Sequence, residues 1–134
     1  MAPRNLEIIR AIYERWGRGD FTAGSERFTE ETTLVMRPEF PESGTYEGPE
    51  GIRRYTLGFL ESFDGATITG ESFEAEGDSV VVGVRQQGTG RGSGIPSEMR
   101  FFHVWTFRGE EVLRIDVIMS RADALAAAGL GDGA

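Results

Sequence analysis

The stretch FFHVWTFRGEEVLRIDVIM, Phe101 to Met119, decides the fold. Its apolar residues alternate with other residues on both sides of a short polar segment, and this period of two predicts two strands joined by a turn. The first strand carries the only histidine of the chain, His103, in an apolar and aromatic run. A lone titratable group in such a strand is either a buried ring with its hydrogen bonds satisfied or the working group of a pocket.

The same period continues upstream of this strand pair. It predicts a series of four strands, at 66–76, 79–89, 97–108 and 112–119. Tight turns between consecutive strands require antiparallel neighbours, so the four segments are expected to form a meander. A β-rich segment at 32–37 predicts one earlier strand. The interval from Pro38 to Gly48 is expected to be a loop, long enough to serve as a lid or rim.

Apolar residues at three- and four-residue spacing predict helices before the meander. The first helix is expected to begin at the N-cap Asn5 and to end at Gly17 and Gly19. Its apolar face consists of Leu6, Ile9, Tyr13 and Trp16. A second, short helix is expected from Phe21 to Phe28, capped by Asp20.

A third helix is expected to begin at Pro49, because proline suits the first helical position. Its apolar face consists of Ile52, Tyr55, Phe59 and Phe63. Ser120 and Asp123 resemble a capping box and predict a last short helix that ends at Gly129. The tail GDGA is expected to be frayed. Helices followed by an antiparallel sheet define an α+β fold.

Composition limits the function classes that fit the chain. Its 134 residues fit one domain, 1–134, with a core from Leu6 to Leu130. The formal net charge of −8 argues against nucleic acid and against anionic membrane surfaces as partners. No apolar run approaches the roughly 20 residues that span a bilayer. The absence of cysteine excludes disulfides and thiolate metal sites and favours a cytoplasmic location.

Four segments together resemble a known family. They are WGRGDF after the first helix, the strand TTLVMRP, YEGPEGIRRY at the third helix, and the run from FFHVWTF to AAAGL. Their order is similar to that of the SnoaL-like branch of the nuclear-transport-factor-2-like superfamily, which includes ketosteroid isomerase. The resemblance covers about Leu6 to Leu130. It implies a cone-like α+β barrel in which N-terminal helices pack on a curved, mainly antiparallel sheet, with a pocket at the open end.

The resemblance also implies a homodimer formed through the outer sheet face, and a range of activities. Relatives include polyketide cyclases, isomerases, epoxide hydrolases and binding proteins, so the fold alone does not define the reaction. His103 falls where the isomerase has its oxyanion-hole aspartate. The tyrosine partner falls at Ile12, the catalytic base at Met36, and the cyclase acid/base aspartate at Val117. Three of these four positions are therefore apolar in this chain.

Strand alternation predicts which side chains line the pocket. Met99, Phe101, His103, Trp105 and Phe107 share the face that the resemblance turns into the cone. The full set of expected pocket-lining residues is Trp16, Met36, Tyr55, Phe59, Met99, Phe101, Trp105 and Val117. Asp116 has the opposite parity and is expected to face outward and pair with an arginine, although one bulge would reverse this. Arg85 and Gln87 alternate with Val84 and Gln86, so one of these two pairs must face the concave side, and the sequence leaves open which.

Three hypotheses follow for the function. The first is a cyclase- or isomerase-type enzyme acting on a carbonyl compound, with His103 as proton carrier or oxyanion donor. The second is a non-catalytic protein that binds a small, mostly apolar ligand. The third is a dimeric assembly module. No cofactor is expected, and the glycine-rich segment Gly88 to Gly94 lacks the lysine and helix of a phosphate loop and resembles a flexible hairpin at the pocket rim. No metal is expected, because the chain has one histidine, no cysteine and neither an H-x-x-x-H motif nor an Asp-rich loop.

Overall fold

The computed structural model describes residues 2 to 129. Over these residues three helices pack on one sheet of six strands. In chain order the elements are α1 (Ala2–Trp16), β1 (Phe28–Met36), β2 (Gly44–Glu47), α2 (Gly48–Ser62), β3 (Phe63–Glu76), β4 (Ser79–Gly90), β5 (Pro96–Arg108), β6 (Glu111–Ile118) and α3 (Arg121–Ala127). The predicted α+β class is confirmed.

The sheet is mixed, with the order β2-β1-β6-β5-β4-β3. All neighbours are antiparallel except β1 and β6, which run parallel. The sheet is curved but does not close, so β2 and β3 remain its two edges. The predicted meander of four strands is present as β3 to β6, and its curvature produces a concave face and a convex face.

The two faces have separate apolar clusters because successive side chains on a strand point to opposite sides. On the concave face, Val82 and Val84 of β4 join the main core with Ile9 and Ile12 of α1. On the convex face, a smaller cluster lies under α3. It contains Val81, Val104, Ile118 and Ala124. The C-terminal helix therefore covers part of the outer surface of the sheet.

The alternation in β5 places its histidine inside. Phe101, Trp105 and Phe107 are buried members of the main core, and His103 is 6% exposed. Val104, between them, belongs to the convex cluster. Ser120 caps α3 by accepting a hydrogen bond from the backbone N–H of Asp123, as the capping-box pattern predicts.

Three local predictions are wrong. The expected helix from Phe21 to Phe28 is instead a set of turns and a single 3-10 turn, Ser25–Arg27. Gly24 precedes that turn with a φ of 94°, which interrupts any continuous helix. Asp20 accepts hydrogen bonds from the backbone and hydroxyl of Thr22, so it closes a local turn rather than capping a helix.

The interval from Pro38 to Gly48 is not entirely loop, because β2 forms within it and pairs with β1. Asn5 is not an N-cap: α1 begins earlier, and Asn5 is 1% exposed inside it. The residues proposed for the frayed tail, and Leu130, lie outside the described residues.

Candidate functional site

The concave side holds two cavities. The inner cavity, of about 610 Å³, lies between the segment 19–25, α2 and the concave faces of β4 to β6. The outer cavity, of about 860 Å³, lies between β2, α2 and the far ends of β4 and β5. Tyr55, Phe59, Gln86 and Phe101 line both cavities and form what we call the shared wall. Both volumes are in the range of small-molecule sites.

His103 is the titratable group of β5 that lines the inner cavity. Its Nδ1 lies 2.5 Å from the hydroxyl of Tyr13 in α1. The same hydroxyl accepts a hydrogen bond of 2.8 Å from the indole N–H of Trp105. The two β5 side chains and the tyrosine therefore form one buried chain, Trp105 to Tyr13 to His103.

Hydrogen-bond accounting assigns the tautomer of His103. The indole of Trp105 only donates, so it occupies a lone pair of the Tyr13 oxygen. The tyrosine proton is then best used as a donor to Nδ1, since the alternative leaves a buried O–H without an acceptor among the described residues. Nδ1 is the acceptor in this arrangement, and Nε2 carries the proton. Nε2 has no hydrogen-bond partner within residues 2–129, and the ring borders the inner cavity.

Burial makes this histidine a neutral donor. Desolvation lowers the pKa of His103 to about 3. Burial raises the pKa of Tyr13 well above its ordinary value, so the phenol keeps its proton, although the Trp105 N–H acts in the opposite direction. At neutral pH the inner cavity thus receives one uncharged N–H from a ring that two aromatic residues hold in place.

The other polar or charged residues that line the inner cavity are Asp20, Thr22, Ser25, Arg53, Tyr55, Thr56 and Gln86. Gln86 and Tyr55 belong to the shared wall, and neither side chain has a hydrogen-bond partner in the described part of the chain. Burial raises the pKa of Tyr55, so its hydroxyl is also neutral. Asp20 lies at the rim, where the Thr22 hydroxyl and Arg15 lower its pKa to about 2. Its carboxylate is ionised and already bonded.

The expected lining residues divide between the two cavities. Trp16 and Val117 line the inner cavity, whereas Met36 and Met99 line the outer one. Tyr55, Phe59 and Phe101 lie in the shared wall. Trp105 lines neither cavity: it is fully buried behind Tyr13, and its role is to donate to that hydroxyl.

The outward parity of Asp116 is confirmed. Its neighbours Ile115 and Val117 join the concave core, and Asp116 pairs with Arg114 on the convex face at 2.9 Å. Arg85 also faces outward, where it lies 3.5 Å from Glu71. Gln86, with the opposite parity, is therefore the β4 residue that reaches the cavities.

One residue of the site, Tyr13, was not anticipated, and a second, Gln86, was left open against Arg85. The resemblance placed the tyrosine partner at Ile12, but the structure brings the next residue, Tyr13, to the histidine. Tyr13 lies on the predicted apolar face of the first helix, and the hydroxyl of a buried tyrosine needs a hydrogen-bond partner. This requirement was the signal in the sequence that Tyr13 contacts a polar group. Gln86 has the same parity as Val82 and Val84, so strand alternation contained that signal as well.

Residues 2–129 contain no group of three or more His, Cys, Asp and Glu side chains arranged to hold a metal ion. Within the same residues, none of the helices has the length and apolar character needed to cross a bilayer.

A helix-lined, curved sheet with a cavity on its concave side defines the nuclear-transport-factor-2-like class. The family model described as the SnoaL-like domain matches residues 9–115, so the chain belongs to the SnoaL-like family. The family is related to polyketide cyclases and isomerases. No curated protein matches the sequence.

Solved structures agree with this assignment. A nuclear-transport-factor-2-like protein from Burkholderia thailandensis is 25% identical, with a TM-score of 0.76 over 93% of this chain and 96% of the other. A protein with a ketosteroid isomerase-like fold from Catenulispora acidiphila, solved with trimethylamine, is 22% identical, with a TM-score of 0.72 over 92% and 93%. TerC, co-crystallised with polyporic acid, is 22% identical, with a TM-score of 0.72 over 94% and 96%.

Proposed function

We propose that the protein binds a small, mostly apolar carbonyl compound in the inner cavity and hydrogen-bonds its carbonyl oxygen through Nε2–H of His103. The observation that carries this proposal is the contact between Tyr13 and Nδ1, which fixes Nε2–H as an unpartnered donor at the cavity, in addition to the Gln86 amide and the Tyr55 hydroxyl of the shared wall. A carbonyl oxygen is the acceptor that such a donor recognises in an apolar surrounding. The rest of the lining is mainly aromatic and aliphatic.

The same geometry favours binding and polarisation over proton transfer. With a pKa of about 3, His103 is protonated in on the order of one molecule in ten thousand at about pH 7, so it is a poor general acid. Its Nδ1 lone pair is occupied by Tyr13, so it is not a free base. The remaining catalytic role that fits is donation to an oxygen on which negative charge develops.

A cyclase- or isomerase-type reaction also requires a base. Asp20 is the only carboxylate that lines the inner cavity among the described residues. Its lowered pKa and its bonds to Arg15 and Thr22 make it a weak base. We therefore place ligand binding first. Catalysis through an oxyanion held by His103 is the second candidate, favoured by the kinship to cyclases and isomerases.

A pair of probes of nearly equal shape tests the binding proposal. Acetylnaphthalene has a carbonyl, and ethylnaphthalene lacks it. By calorimetry, the ketone should bind roughly three- to tenfold more tightly than the hydrocarbon, the usual value of one net hydrogen bond. His103→Phe should remove this preference. Gln87→Ala, next to Gln86 but facing outward with Glu98, should retain it.

Equal affinity of the parent protein for both probes would contradict the role of His103. Failure of both probes to bind at millimolar concentration would remove the proposal as a whole. The fold of each variant is checked by circular dichroism and thermal unfolding, so that loss of binding is not confused with loss of structure.

We also propose that the protein is a homodimer that uses the convex face of the sheet. Phe102 is half-buried there and packs against the edge of the cluster under α3, which contains Val81, Val104, Ile118 and Ala124. Arg85 and Arg100 converge on Glu71 beside it, and Nε of Arg85 is buried without a hydrogen-bond partner within the described chain. Interspersed charges of both signs allow a surface to pair with its own copy across a twofold axis.

Light scattering at micromolar concentration tests the dimer. We expect twice the chain mass for the parent protein and a shift to the monomer mass for Phe102→Glu. A monomer in the parent protein would refute the proposal. Ala11→Glu, which adds the same charge at an exposed position of α1 and away from the convex face, is the matched control for a general effect of charge.

A further inference from the structure

We propose that the ligand is an elongated molecule that occupies the inner and outer cavities together, with one polar group at His103 and a second at the shared wall. The inference rests on the proposed function and specifies the ligand class of the same site. It follows from the relation between the two cavities and from the position of the unpartnered polar side chains along them.

The two cavities meet at the side chains of the shared wall, not across the backbone of a helix or strand. Tyr55 and Phe59 are one turn apart on α2, and Phe101 and Gln86 face them from β5 and β4. All four side chains border both cavities, so a rotation of the flexible Gln86 or of the Tyr55 ring joins the two spaces. The wall is therefore a constriction within one groove.

The polar groups lie at two levels of this groove. His103 pairs in register with Val82, and Gln86 lies four residues further along β4. At about 3.3 Å per residue, the two polar residues are roughly 13 Å apart along the strand direction. Tyr55 and Gln86 offer a hydroxyl and an amide at the second level, and neither is used by the described residues. Polar groups in such surroundings are normally paired, with the ligand or with water.

Aromatic surface continues on both sides of the constriction. Trp16 and Phe21, with ring centroids 5.7 Å apart, lie on the inner side. On the outer side, the rings of Tyr46 and Tyr55 pack at a tilt of 45° with their centroids 4.9 Å apart. A ligand of 13 Å or more with apolar ends fits this arrangement, because each end is buried against rings while its polar groups meet the two polar levels.

Gly58 provides a variant that narrows only the outer cavity. It lies in α2, lines the outer cavity and not the inner one, and a Cβ there would meet nothing within 4 Å. Gly58→Leu therefore fills outer space without a backbone clash and without touching His103. Gly58→Ala is the matched control, because it makes the same backbone change and fills little space.

The probes are two ethers of acetylnaphthalene, methoxy and hexyloxy, substituted on the ring far from the acetyl group. In the parent protein the hexyloxy ether should bind roughly tenfold or more tightly than the methoxy ether, since its tail buries additional methylenes in the outer cavity. Gly58→Leu should reduce the affinity for the hexyloxy ether to that for the methoxy ether and leave the methoxy ether unchanged. Gly58→Ala should behave as the parent protein does.

The outcomes separate the two proposals. If the short ketone binds but tail length has no effect, or if Gly58→Leu leaves the hexyloxy ether unaffected, the elongated-ligand inference is overturned and the proposed function stands. If neither ether nor acetylnaphthalene binds, the proposed function fails and the inference fails with it.

Discussion

The hydroxyl of Tyr13 lies 2.5 Å from Nδ1 of His103, so a residue of the first helix determines which ring nitrogen faces the cavity. Trp105 holds that hydroxyl from the other side at 2.8 Å. This arrangement converts a residue that usually exchanges protons into a fixed, neutral donor. Because the chain has one histidine, its state can be measured without assignment of competing signals.

Tyr13→Phe should destabilise the protein and allow His103 to adopt both of its neutral tautomers. The substitution leaves the buried Trp105 N–H and the imidazole Nδ1 without partners, which costs about 1–3 kcal/mol for each group left unsatisfied. Urea unfolding measures the loss, and nitrogen NMR of labelled histidine measures the tautomer. We expect a pure Nε2–H form in the parent protein and a mixture in the variant. An Nδ1–H form in the parent protein would contradict the assignment.

The stability of the protein should decrease as the pH is lowered through a window set by His103. The ordinary pKa of histidine, about 6.5, applies to the unfolded chain, whereas the folded pKa is about 3. Between these values the unfolded state binds more protons, so the free energy of unfolding rises with pH. The stability contribution is complete above about pH 6.5 and is lost as the pH falls toward 3.

The measurement is the free energy of unfolding of the parent protein and of His103→Phe at several pH values between about 7 and 4. Carboxylates contribute to the pH dependence of both proteins, so the difference in slope reports the histidine. We expect the parent slope to exceed the variant slope by up to about 1.4 kcal/mol per pH unit. Parallel slopes, or an imidazole that titrates by NMR between about pH 5 and 8, would show that the ring is accessible to protons in the folded state.

Two glycine-to-alanine substitutions should have opposite effects. A Cβ at Gly70 would lie 2.5 Å from Cζ of Phe73, whose ring packs against Tyr13 and lies under the guanidinium of Arg10. That ring is held on two sides, so Gly70→Ala should destabilise the protein by about 1–3 kcal/mol through overpacking. The effect should be transmitted to the tyrosine and appear as a shift of the His103 resonances.

Gly58→Ala should instead stabilise the protein by about 0.5–1 kcal/mol, because the position is helical, exposed and open. Thermal unfolding of the two variants under one condition gives the comparison. If Gly70→Ala stabilised the protein instead, the Phe73 ring would have to repack without a cost in stability. Phe73 would then not hold Tyr13 in position.

The fold was largely predictable because side chains of the late strands alternate between two environments over most of their length. Val81 and Val82 go to opposite faces, and the same parity correctly separated His103 from Asp116. The short edge strand β2 was not predictable, since Gly44 and Gly48 on either side of it indicate a loop. The strand β2 is stabilised by hydrogen bonds with β1, and no pattern within the segment itself indicates this pairing.

The sequence predicted which residue types form the candidate site, but not which of these residues contact each other. Alternation selects His103, and helical spacing selects Tyr13 as an inward-facing residue. No local rule joins the two, because the tyrosine and the histidine are 90 residues apart in sequence and meet only when α1 crosses the sheet. The second cavity was also unpredictable, since it depends on the distance between α2 and the far ends of β4 and β5.

The parallel pairing of β1 with β6 has a consequence for biosynthesis. Thr32 in β1 donates to the carbonyl of Val112 in β6, 80 residues later, and the register runs from Leu34 with Ile115 to Met36 with Val117. While the ribosome is still adding residues before β6, β1 has no inner neighbour, and the apolar floor of the inner cavity is missing. The inner cavity is therefore complete only after β6 has been synthesised, and until then β1 and α1 expose apolar surface that a chaperone would recognise.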